Sequence, residues 1–195
     1  MRDLLRKRRL RLRLHRSALA RGFSLVELMV VVVIVGVLAA VGITIFRKHI
    51  FGSRTVEAMA MIQSIRSAQE RWRAEHFGYL DVSTTMNSTY PMAVPGKSLY
   101  AWDQPAGADY QRWRLLAPTN SAPVQFGYTV KAGAPFTAII APTNAGAKPV
   151  FPPAAQVSEP WYIIQSVGDT DADGDRAYYV ATSLSGEIYR ENEGE

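Results

Sequence analysis

The chain has 195 residues, 48% apolar and 20% charged, with a formal net charge of +5 and a pI near 9.6. That suits one modest domain with an extra element and excludes a disordered polyelectrolyte. The lack of Cys rules out a disulfide scaffold, a thiolate metal site and a thiol nucleophile, while His15, His49 and His76 leave residues 77–195 without any His-centred chemistry.

The basicity sits at one end. Residues 1–22 hold nine of the 22 Lys and Arg and one of the 17 acids, Asp3, for a local net of +8. The remaining 173 residues hold 13 bases and 16 acids, a net of −3. A high pI invites a nucleic-acid reading. Here the charge belongs to a terminal segment, and the rest of the chain is mildly acidic.

The apolar run Phe23–Phe46 follows, 24 residues with one charge, Glu27. As a helix it spans about 36 Å, enough to cross a bilayer core of about 30 Å with some tilt. It has no polar face of the kind a soluble helix keeps. Nine bases precede it, and only Arg47, Lys48 and Arg54 follow closely. The positive-inside rule therefore predicts a cytoplasmic N-terminus, a single pass, and a C-terminal domain outside.

The boundary between the two segments reads Arg21-Gly22-Phe23-Ser24-Leu25-Val26-Glu27-Leu28. An ordinary secretory signal is cut after its apolar region. This boundary precedes it, and it resembles the prepilin peptidase site of type IV pilins and type II secretion pseudopilins. The resemblance covers the end of the leader and the whole apolar run. It implies cleavage after Gly22, N-methylation of Phe23 by the same enzyme, and a role in assembly for Glu27, whose carboxylate neutralises the new amine, commonly that of a neighbouring subunit. The leader is longer and more basic than family leaders often are. Independently of the family, a carboxylate near the membrane costs about 2.5 kcal/mol or more on insertion scales. Glu27 therefore calls for a cationic partner, and the amine that the implied cleavage would expose at Phe23 is the expected one.

Residues 1–90 contain no Pro, and all 11 prolines lie between Pro91 and Pro160. The spacing predicts that the helix continues over 47–77, with Phe51, Thr55, Ala58, Ile62, Ile65, Ala68 and Trp72 as its buried stripe. Glu57, Arg66, Arg71 and Arg73 fall off the stripe, and Gly78 is the expected stop. Pilins often carry a Pro in the apolar segment; here Gly36 and Gly42 are the expected points of flexibility.

Residues 78–124, rich in Pro, Gly, Ser, Thr and Asn, predict an irregular connection, with a short strand at 110–116. Alternating apolar residues then predict strands at 125–131, 136–141, 161–167, 176–183 and 187–190, and an antiparallel sheet over 125–195. The link 142–160, with five Pro, is the expected loop excursion. The sheet must bury the helix stripe, because neither surface is stable alone. The predicted class is α+β, which fits the helix-plus-sheet ladle that the resemblance implies.

The family often closes its C-terminal region with a disulfide, which this chain cannot form. The run Asp169-Thr170-Asp171-Ala172-Asp173-Gly174-Asp175 suggests another clamp. Asp169, Asp171, Asp173 and Gly174 match the first half of a D-x-D-x-D-G calcium loop, with Asp175 next in line for a carbonyl contact. The twelfth position is Val180 rather than Glu, which excludes an EF-hand. A calcium site would have to borrow a ligand such as Glu187 or Glu159. The bland alternative is a solvated acidic turn.

The leading expectation is a structural one, with no enzyme chemistry. There is no phosphate loop and no Gly-x-Ser-x-Gly. The resemblance implies a type IV pilin-like subunit of the bacterial inner membrane. It would be processed by the prepilin peptidase and methylase and assembled with like subunits into a filament serving adhesion, motility, DNA uptake or secretion. Its partners would be that enzyme, identical or related subunits, membrane lipid and the assembly machinery, with no nucleic acid required. A minor pilin or secretion pseudopilin is the alternative within the system. A membrane-anchored calcium-binding or adhesive domain that never polymerises is the alternative outside it.

Overall fold

A computed structural model describes residues 22–105, 107, 109–120, 122–142 and 149–193, without the side chains of Thr44 and of residues 47–51. The predicted leader, apart from Gly22, lies outside the described residues, as does the Phe51 side chain.

The first helix, α1, runs unbroken over Leu25–His76 and passes through Gly36, Gly42 and Gly52. The chain divides into two compact units, Met1–Ile43 and Thr44–Glu195. In the first unit, Leu25–Ile43 is long and apolar enough to cross a membrane, and its side chains are exposed.

In the second unit α1 turns a mixed surface to a sheet. Thr55, Ala58, Ile62, Ile65 and Ala68 are buried and Trp72 half-buried, at the three- and four-residue steps of one helical face. Each buried Ile contributes about 1.5–3 kcal/mol. α1 ends on Phe77 rather than Gly78. Phe77 adopts φ 58° and its N–H donates to the Arg73 carbonyl at 2.8 Å. This closes an orphan carbonyl of the last turn, at a steric cost that Gly would have avoided.

The sheet is an antiparallel meander of four strands in sequence order: β1 (Gly127–Gly133), β2 (Trp161–Gly168), β3 (Ala177–Thr182) and β4 (Ser185–Glu191). The fold is α+β, an apolar helix with a small antiparallel sheet. Two expected strands are corrected. Residues 110–116 form a helix, α2 (Tyr110–Leu116), because Trp113 and Leu116, three apart, both enter the core. Residues 136–141 pair with no strand among the described residues. They belong to an excursion that crosses the outer face of the sheet.

That excursion makes the unit three layers deep. One face of the sheet packs α1 through Phe126, Tyr128, Val130, Tyr162, Ile164 and Tyr179. On the other face, Trp161, Ile163 and Val180 pack with Met86 and Val157, flanked by Ile139 and Phe151. β2 is accordingly buried along its whole length, on both sides. The free edge of β1 is closed by residues 81–90. Ser83 N–H donates to the Val130 carbonyl at 2.9 Å, and Tyr90 and Tyr128 exchange two backbone bonds. Lys131 is anchored there by Asp81 at 2.6 Å and the Ser83 carbonyl at 3.0 Å.

The last hairpin is tied to α1 by the Thr55–Tyr179 hydroxyl pair at 3.0 Å and, more extensively, by Arg66. The Arg66 guanidinium donates to the carbonyls of Thr182, Ser185, Gly186 and Glu187 at 3.0–3.4 Å. Four carbonyls converge on one planar fork, a geometry that Arg supplies and Lys does not.

Candidate processing site and acidic loop

Two sites follow from the sequence, and each has its own local logic. At the first, Gly22, Phe23 and Ser24 are non-helical and α1 begins at Leu25. Ser24 occupies the N-cap position, and Ser24-Leu25-Val26-Glu27 has the spacing of a capping box, a helix-start signal that the motif reading left unused. Glu27 lies in the first turn, where the helix macrodipole favours an acid. The Gly22–Phe23 bond thus sits just outside the regular backbone hydrogen bonding of the helix. Phe23 is 79% exposed, and among the described residues beyond its chain neighbours no atom lies within 4 Å of where a Gly22 side chain would be. Residues 22–24 are thus non-helical, and Phe23 is open to solvent where α1 begins.

The second site joins β2 to β3. Asp169, Asp171 and Asp173 each offer a carboxylate oxygen, and these three oxygens lie within 4.8 Å of one another. That spread fits a single ion with oxygens about 2.4 Å away on every side. Ala172 (φ 58°) and Gly174 (φ 101°) are both left-handed, curling the loop so that alternate side chains converge. One carboxylate oxygen of Asp169 and one of Asp171 are buried with no hydrogen-bond partner, a costly state for a charged acceptor. The loop is anchored through the Thr170 carbonyl, which accepts from Arg54 at 2.6 Å and Gln125 at 3.4 Å.

The other proposed ligands are placed elsewhere. Asp175 stands outside the carboxylate group and donates its N–H to Asp173 at 2.8 Å. Glu159 pairs with Arg73 at 2.9 Å. The Glu187 N–H is bound to Ser185 at the other end of β4, and Val180 is buried in β3. Three hard carboxylate oxygen donors match calcium better than a thiophilic or imidazole-seeking metal.

One functional residue was read differently from sequence. Glu57 does lie beside the buried stripe, yet it reaches the sheet and accepts the Gln125 N–H at 2.8 Å. Burial pushes its pKa above the usual 4.5, partly offset by the N–H groups of Gln125 and Phe126 and by Arg54.

The family described as "Prokaryotic N-terminal methylation motif" matches residues 18–43. Type IV major pilin protein PilA of Myxococcus xanthus (strain DK1622) is 41% identical over 61 residues, 31% of this chain and 28% of PilA. Type IV major pilin protein PilE1 of Neisseria gonorrhoeae is 29% identical over 82 residues, 42% of this chain and 50% of PilE1. A fimbrial protein of Neisseria meningitidis serogroup B (strain ATCC BAA-335 / MC58) is 28% identical over 81 residues, 42% of this chain and 48% of that protein. The chain thus spans half or less of the length of these relatives. No solved structure matches the chain.

Proposed function

We propose, on the premise that its N-terminal segment assigns this chain to the type IV pilin family, that it is a filament subunit made as a membrane-inserted precursor. The basic leader holds the N-terminus in the cytoplasm while α1 crosses the inner membrane, leaving the second unit outside. Prepilin peptidase hydrolyses the Gly22–Phe23 bond, leaving a carboxylate on the leader and an ammonium on Phe23, which is then methylated. The observation that carries this reading is the junction itself, an exposed, irregular Gly22–Phe23 bond abutting an apolar helix with an acid in its first turn.

Glu27 gives assembly a direction. In the apolar layer the new cation and the Glu27 carboxylate are each costly alone, and pairing them between subunits offsets part of both penalties. Extraction into a filament then covers the apolar residues of α1 that stand exposed in the isolated chain. The decisive measurement is the mass of the mature N-terminus from membrane and sheared-filament fractions. N-methylated Phe23 is expected, and an intact leader in both fractions overturns the reading. Low abundance in the sheared fraction assigns a minor pilin or pseudopilin role instead of the major one.

The acidic loop supports a second proposal, that Asp169, Asp171 and Asp173 hold a calcium ion that clamps the β2–β3 connection. Its motive is the pair of partnerless buried carboxylate oxygens. Calorimetric titration of the processed protein in detergent should give binding heat and a raised unfolding temperature at millimolar calcium. Both should vanish in Asp171→Asn, and silence in the unsubstituted protein ends the idea.

A further inference from the structure

The turn between the β1-edge segment at Ser83 and the bridge at Tyr90 carries Asn87-Ser88-Thr89, an Asn-x-Thr acceptor triplet. Such triplets also arise by chance, so placement decides. Met86 is buried in the outer core beside Trp161 and Val180, which pins the turn to the outer face of the sheet. Asn87, the next residue, is exposed. The turn closes on itself, with the Ser88 N–H on the Thr85 carbonyl at 3.1 Å and the Asn87 N–H on Thr85 Oγ1 at 3.3 Å. All three triplet residues line one cleft of about 250 Å³, together with Tyr90, Ala93, Gly107 and Asp109.

We infer that Asn87 is an N-glycosylation site, and that the exposed turn and adjoining cleft accommodate the attached sugar. The inference rests on the reading that places the second unit outside the cytoplasmic membrane, where lipid-linked saccharide donors are presented to exported chains. The donor class is a lipid-pyrophosphate-linked saccharide. The Asn87 side-chain nitrogen forms a bond to the anomeric carbon, and that carbon's bond to the pyrophosphate oxygen breaks. The pyrophosphate lipid leaves with the electron pair, and the amide gives up one proton to a base on the transferase. In the folded chain the Thr89 hydroxyl is engaged, donating to the Met92 carbonyl at 2.6 Å. A transferase that reads this hydroxyl must meet the triplet before the turn closes, so the modification precedes folding of the exported unit.

The test is peptide mapping by mass spectrometry on the chain isolated from the cells that make it, reading the Asn87 peptide and the N-terminus together. The expected result is a saccharide mass on Asn87, released by a glycoamidase with conversion of Asn87 to Asp. Thr89→Ala and Asn87→Gln should abolish it, while Thr89→Ser and Ser88→Ala retain it, a pattern that misfolding cannot reproduce. An unmodified Asn87, or sugar on Ser88 or Thr89 instead, overturns the inference. A cleaved leader with bare Asn87 would sink this inference alone, and an intact leader with glycosylated Asn87 would sink the processing reading alone.

Discussion

Arg66 and Glu57 share the part of α1 that packs on the sheet, and both stand beside the buried stripe rather than on it. Periodicity marks such positions as solvent-facing, yet both side chains reach back to the sheet. Arg66 gathers four carbonyls of the terminal hairpin, a tie between helix and C-terminus in a chain that has no Cys to make one. Arg66→Ala should cost about 2 kcal/mol in chemical denaturation, since hydrogen bonds from a charged donor are lost together. Arg66→Lys should recover less than half, because a single ammonium cannot address four acceptors at once. Glu57 behaves oppositely. Its folded-state pKa is raised, so its contribution is fully present below the ordinary 4.5 and is lost as pH rises through the folded value. Glu57→Gln keeps an acceptor for the Gln125 N–H without the charge. It should therefore match the unsubstituted protein in thermal unfolding at pH 4 and equal or exceed it at pH 7. A variant less stable at pH 7 than at pH 4, relative to the unsubstituted protein, would contradict this.

Among the elements, α1 and the meander were legible because their signals are local. Three- and four-residue spacing set the helix face, and alternation marked β1, β2 and β3. The segment 110–116 was misjudged because its seven residues hold too few turns for a period to show, and Trp113 and Leu116 declare a helix only once a core receives them. The strand expected at 136–141 failed for a related reason. Ile139 packs against the cluster of Trp161 and Ile163 instead of extending the ladder, while Phe136 and Ile140 stay exposed. β2 depends on that cover, and it ends tightly at Gly168, where any Cβ would overlap the Phe126 ring. Gly168→Ala should destabilise by about 1–3 kcal/mol through overpacking, read as a lowered denaturant midpoint with unchanged slope. It should also weaken the calcium binding proposed for the acidic loop, because Gly168 leads directly into Asp169.

At the scale of the whole molecule the charge is split along the chain. The full chain carries +5, but residues 23–195 carry −3. If the leader's work is orientation, replacing most of its nine Lys and Arg with Gln should lower the fraction of chains whose second unit is reachable by added protease in spheroplasts. An unchanged fraction would assign orientation to Arg47, Lys48 and Arg54 or to other features. The remaining open sheet edge, β4, carries Glu187, Arg190 and Glu191, charges that oppose edge-to-edge pairing.

The sequence by itself determined the processing motif, the membrane-length helix, the α+β class and the carboxylates of the acidic loop. Each of these is written in contiguous residues or in a fixed local period, so no distant contact is needed to read it. Only the tertiary structure decided the outer layer on the sheet, the helical state of 110–116, the reach of Glu57 and Arg66, and the convergence of Asp169, Asp171 and Asp173. Those outcomes depend on which chemically adequate partner lies within a few ångströms, and chain separations of 68 residues for Glu57–Gln125 and 120 for Arg66–Gly186 conceal that from any local reading.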